Sequence, residues 1–73
     1  MADTKILSEV TGSIWKILVH VGDKVAANTP VALIESMKME VPVLASDDGV
    51  VVEIYLKVGD TVTEGQAVLA IRE

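Results

Sequence analysis

The second half of this chain repeats the first at an offset of 37 residues, and no other feature restricts its possible folds so strongly. Laying residues 1–36 over residues 38–73 needs no gap. It gives nine identities: Leu7/Leu44, Gly12/Gly49, Ile17/Ile54, Val21/Val58, Gly22/Gly59, Asp23/Asp60, Val25/Val62, Val31/Val68 and Ile34/Ile71. A unit of this length falls in the range of solenoid and propeller repeats, yet two copies are too few to bury the faces of a stacked array. Two halves folded about one pseudo-twofold axis, sharing a core, fit the pattern instead.

With 73 residues there is room for one core, so a single domain is expected over 1–73. Hydrophobic residues make up 51% of the chain, much of it Val and Ile. These favour pleated strands, and with no Phe and only one Trp and one Tyr the core must be aliphatic. There is no cysteine and no metal-ligand cluster, which leaves packing as the source of stability and is compatible with a reducing, cytosol-like compartment. Met1-Ala2-Asp3-Thr4-Lys5 has no apolar targeting core, and Lys16, His20, Glu53 and Lys57 interrupt the longest apolar runs. The expectation is a soluble, mature chain with no membrane span. The net charge of −5 is spread along the sequence, which argues against a nucleic-acid partner.

Turn-forming residues at Thr11-Gly12, Gly22-Asp23, Asn28-Thr29-Pro30, Asp47-Asp48-Gly49, Gly59-Asp60 and Glu64-Gly65-Gln66 divide the chain into short segments. They predict strands over 4–8, 12–20, 24–26, 31–36, 39–45, 49–57, 61–63 and 67–72, the spacing of an all-β barrel or sandwich. None is long enough for a convincing helix. Alternation puts Trp15, Ile17 and Val19 on one face of the second strand and Ile14, Lys16, Leu18 and His20 on the other. The repeat sets Val52, Ile54 and Leu56 against Val51, Glu53, Tyr55 and Lys57, and the first set in each copy is expected to form core. His20 has no partner as a metal ligand or base and is expected in solvent, like its counterpart Lys57.

At the centre of the chain lies Glu35-Ser36-Met37-Lys38-Met39-Glu40, between the strand-like runs Val31-Ala32-Leu33-Ile34 and Val41-Pro42-Val43-Leu44. The chain is predicted to reverse near Met37-Lys38. Tight hairpins use Asn-Gly or Asp-Gly pairs because their central residues need positive φ, so Met-Lys carries a local cost. Such violations concentrate at functional sites. Taken alone, a hairpin lysine is an ordinary solvated lysine. The repeat adds that position 38 is equivalent to the chain ends, so Lys38 should lie opposite them, a geometry suited to a swinging group. The other lysines, Lys5, Lys16, Lys24 and Lys57, lie in or beside strands. Met37 and Met39 are unbranched and suited to adapting against a partner pocket, although at two-residue spacing either could instead fill the core.

Glu35-Ser36-Met37-Lys38-Met39-Glu40, followed by Pro42 and Ala45 and by Gly49 opening the second repeat, resembles the biotin attachment site of biotinyl (biotin carboxyl carrier) domains. The resemblance covers the whole chain, with Ser36 standing where Ala is commoner. It implies a flattened eight-stranded barrel-sandwich of two four-stranded halves, with biotin joined to the Lys38 amine by a biotin protein ligase. Glu35, Ser36, Met37, Met39 and Glu40 would be the residues that ligase reads. The gap-free repeat leaves no room for the thumb-like insertion of some bacterial acetyl-CoA carboxylase carriers. The chain is thus more similar to the thumbless domains of acyl-CoA, pyruvate and urea carboxylases, or to a free-standing biotin/lipoyl attachment protein. By the same resemblance its partners would be a biotin carboxylase and a carboxyltransferase, in the cytoplasm, or in the mitochondrial matrix for a domain of a larger chain.

No nucleophile–base pair, catalytic carboxylate pair or phosphate loop occurs in the sequence, which points to a carrier and not a catalyst. Two other carrier or binding readings are open. Lipoyl domains share the implied architecture and are compatible with Glu35-Ser36, but typically have Asp-Lys-Ala where this chain has Met37-Lys38-Met39. An unmodified structural barrel-sandwich module would need the Gly-Asp repeat without Met-Lys-Met. A Schiff-base enzyme is disfavoured, because an exposed tip cannot desolvate the amine.

Overall fold

Each of the eight predicted segments forms a strand, and all pair antiparallel. The computed structural model describes residues 3–73; Met1 and Ala2, and the reading of a missing leader that includes them, lie outside it. The strands are β1 (Asp3–Leu7), β2 (Gly12–Ile17), β3 (Lys24–Val25), β4 (Pro30–Ser36), β5 (Met39–Leu44), β6 (Gly49–Ile54), β7 (Thr61–Val62) and β8 (Ala67–Arg72). They make two four-stranded sheets, ordered β1-β8-β6-β3 and β5-β4-β2-β7. Adding the repeat offset turns the first order into the second. Each sheet therefore takes two strands from each half of the chain, and the halves cannot separate without breaking both sheets.

Hydrogen bonds between the turns follow the same symmetry. The Gly22 N–H donates to the Val51 carbonyl, and the Gly59 N–H to the Ile14 carbonyl, both at 2.8 Å. In return Val51 N–H donates to Asp23 O and Ile14 N–H to Asp60 O, again at 2.8 Å. Each Gly-Asp turn thus binds a strand of the opposite half. The turns are closed internally by the aspartates, whose Oδ2 atoms accept from His20 N–H at 2.8 Å and Lys57 N–H at 3.0 Å. Gly22 and Gly59 have φ of 100° and 95°, a region that side chains with a Cβ adopt at a cost.

Between the sheets lies an aliphatic core that includes Ile6, Ile14, Val25, Val31, Ile34, Val43, Val51, Val62, Val68, Leu69 and Ile71. Two members, Ile14 and Val51, were expected on the outside, and Trp15, expected in the core, is 44% exposed. The cause is a bulge in each long strand. The β2–β4 register shifts between Ile14 and Lys16, and the β6–β8 register shifts at the equivalent place, between Val51 and Glu53. One extra residue reverses the in–out phase, so strict alternation holds on one side of the bulge only. Beyond it Val19 is buried as expected, and Ile17, Ile54 and Leu56 pack partly buried against the core. The two strands also end at Ile17 and Ile54, three residues before the predicted limits of 20 and 57. The polypeptide leaves the ladder there to enter the Gly-Asp turns.

Candidate functional site

β4 and β5 form a hairpin in register from Leu33↔Pro42 through Ile34↔Val41 and Glu35↔Glu40 to Ser36↔Met39. Two residues remain for the loop, Met37 and Lys38. Their φ values are 51° and 66°, so both central residues sit in the left-handed region, as the type I′ turn of a two-residue hairpin demands. The right-handed twist of the flanking strands imposes this conformation, although neither side chain favours it. The predicted local strain is present.

The turn carries its side chains clear of the barrel. Met37 is 94% exposed and Met39 66%, so neither methionine fills the core. Lys38 between them is exposed. Among the described residues, neither the Arg72–Asp3 ion pair nor the His20–Asp23 side-chain contact involves it. Its amine is held by no carboxylate. An exposed primary amine at a protruding tip has the placement needed to enter a second protein's active site and form an amide there.

Two acidic residues sit at the base of the turn. Glu35 and Glu40 are directly opposed across the ladder and both are exposed, an arrangement that places like charges side by side. The equivalent pair at the other end of the barrel is Arg72 and Asp3, opposed in the β1–β8 ladder and bonded from Nε to Oδ1 at 2.8 Å. The Arg72 hydrogen bond holds the Asp3 carboxyl below the usual aspartate value, and the same contact raises Arg72. One end of the molecule is therefore closed by an ion pair, and the other presents two carboxylates beside a lysine.

Ser36 is the fifth of the flanking residues picked out from the sequence, and it does more than was expected of it. Its hydroxyl donates to the Thr11 carbonyl oxygen at 2.8 Å, tying the hairpin to the loop before β2. Thr11 was read only as a turn former. Nothing in a Thr-Gly pair signals an acceptor for a side chain 25 residues away.

The hairpin tip and the Asp3–Arg72 end of the β1–β8 ladder lie at opposite extremes. Leu7 and Leu44, which exchange under the pseudo-twofold, line one open cavity near the axis. From there β1 leads back to Asp3 and β5 back to Met39 in opposite directions, along a molecule measuring 36 × 17 × 17 Å.

Comparison with known proteins agrees with these features. A family described as biotin-requiring enzyme, covering biotin and lipoyl attachment domains, matches residues 5–71. The biotin/lipoyl attachment protein of Bacillus subtilis (strain 168) is 43% identical over 61 residues, 84% of this chain and 84% of that protein. A biotinylated protein TB7.3 homolog of Mycobacterium leprae is 35% identical over 66 residues, 90% of this chain and 93% of the relative. Among solved structures, the Kluyveromyces lactis urea carboxylase superposes with a TM-score of 0.93 at 40% identity, covering 99% of this chain and 6% of that one. Since the match runs from the first strand to the last and takes in the protruding hairpin, the chain belongs to the biotin/lipoyl attachment family.

Proposed function

We propose that this chain is a biotin carrier module with biotin joined covalently to Lys38, moving carboxyl groups between a biotin carboxylase and a carboxyltransferase. The observation that carries the proposal is the two-residue turn, which holds a lysine amine that forms no ion pair among the described residues in a strained, protruding position between two exposed methionines. Relatives named as biotin carboxyl carrier proteins, from Streptococcus mutans among others, and the match within urea carboxylase support carboxylase partners.

Each group has a role in this reading. The Lys38 amine forms an amide with the activated carboxylate of biotin in a ligase, displacing the activating group and losing a proton. Met37 and Met39 offer flexible apolar contact to the ligase pocket, and Glu35 and Glu40 offer charge to a basic surface beside it. Once attached, biotin supplies a ureido nitrogen that accepts and releases carboxylate, and the domain contributes reach and a high local concentration. Among the described residues no helix is long and apolar enough to cross a membrane. Carriage in the cytoplasm, or in the mitochondrial matrix as part of a longer protein, without nucleic acid or membrane as partner, belongs to the same proposal.

Co-expression with a biotin protein ligase is expected to add one biotinyl group to the intact mass. Lys38→Arg should abolish the addition, and the streptavidin signal with it, without altering the fold, because a guanidinium keeps the charge but is not a competent acyl acceptor. An undiminished signal in that variant would put the cofactor on another lysine. A lipoyl mass increment in place of the biotinyl one would assign the alternative cofactor.

A further inference from the structure

Among the described residues, one side-chain hydrogen bond outside its own ladder ties the Lys38 hairpin to the barrel: the Ser36 hydroxyl to the Thr11 carbonyl at 2.8 Å. Thr11 is itself fixed on its other side, its Oγ1 accepting the Glu64 N–H at 3.0 Å. Next to it, Gly12 lies so close to β4 that an added Cβ would meet the Glu35 carbonyl oxygen. The segment that receives the Ser36 hydroxyl is thus anchored to β7's far loop and pressed against the base of the hairpin.

The pseudo-twofold provides an internal comparison. Thr11 corresponds to Asp48, which plays the same anchoring part, its Oδ1 accepting the Ala27 N–H at 2.7 Å. Ser36 corresponds to Glu73, which makes no such bond to the Asp48 loop among the described residues. Anchoring of the loop is common to both halves. The tie from loop to hairpin exists only where the lysine is.

We infer that Ser36 is a positioning residue for the modification of Lys38: its hydroxyl latches the strained turn to the Thr11-Gly12 segment, so the lysine is presented to the ligase in one orientation. The inference rests on Lys38 being the acceptor. Without the latch the hairpin samples other orientations, and the ligase binds only the competent fraction, so the apparent affinity falls in proportion. The hydroxyl does not touch the amine, and the turnover of bound carrier is unaffected.

The test uses the full chain with a biotin protein ligase, biotin and ATP, together with native-state amide exchange. In Ser36→Ala the KM for the carrier should rise about fivefold, the equilibrium factor of one neutral hydrogen bond, with kcat unchanged. The Met39 amide, which lies next to the turn, should lose protection by about the same factor. Ser36→Thr, which keeps the hydroxyl, should restore both values. Unchanged Met39 exchange in Ser36→Ala would overturn the latch, and a fall in kcat at constant KM would overturn the positioning role. A parent chain that takes up no biotin would overturn the attachment proposed above, while the exchange rates would still decide the latch.

Discussion

At Met37 the turn holds an unbranched side chain at φ 51°, where Asn or Gly would sit at lower cost. The residue is exposed and makes no contribution to the core, so under the proposed function its part is contact with whatever approaches the tip. Met37→Asn is expected to stabilise the protein by up to about 1 kcal/mol and to slow biotinylation. Equilibrium urea unfolding and time-resolved intact mass measure the two effects. A variant that was more stable and equally well modified would remove Met37 from recognition. Ser36 teaches a different lesson at this scale. By sequence it is a small residue in place of another small residue, and only the approach of Thr11 gives its hydroxyl an acceptor.

The two terminal ladders of the barrel are the same element with different charges. Glu35 faces Glu40 at the lysine end, and Arg72 faces Asp3 at the other. Glu40→Arg would give the hairpin a cross-strand ion pair and should raise stability by about 0.2–1 kcal/mol. Arg72→Glu should lower it by removing the bond to Asp3. Asp3 has a depressed pKa in the folded state, so its contribution is present above the unfolded-state value and is lost as pH falls through the folded one. In Arg72→Glu that part of the acid-induced loss should disappear, leaving a shallower stability curve at low pH. Chemical denaturation of both variants across the acid range checks the signs, and a destabilising Glu40→Arg would show that the carboxylate pair is not a local cost.

For the whole molecule, the equivalence of the halves can be tested at the glycines of the Gly-Asp turns. No atom lies within 4 Å of a Cβ added at Gly22 or Gly59, so a substituent meets no obstacle and the cost is backbone strain alone. Gly22→Val and Gly59→Val should each destabilise by about 1–3 kcal/mol, with similar denaturant slopes. Harm from only one of them would mean that the two turns, although alike in hydrogen bonding, do not carry equal weight. Each turn binds a strand of the other half, so strain in either should weaken the common core and spare neither sheet. The same interleaving sets the Lys38 tip and the Asp3–Arg72 pair at opposite extremes, so that under the proposed function the modified lysine stays clear of the rest of the barrel.

The sequence by itself determined the repeat, the number of strands and their order along the chain, the Gly-Asp turns and the reversal at Met37-Lys38, whereas the structure decided that both flanking methionines stay out of the core. The features legible in the sequence are local: Gly, Asp and Pro punctuate the chain wherever it folds, and a register offset survives any tertiary arrangement of its copies. Tertiary structure decided which side of the long strands faces inward. Neither Trp15 nor Val52 is a residue type that announces a bulge, and both sit at one because β2 and β6 must bend to serve two partners while closing the core. It also decided that Ser36 would meet Thr11 across the barrel. A hydrogen bond between residues far apart in sequence depends on where the two segments come to rest, and the packing of the whole molecule sets that position.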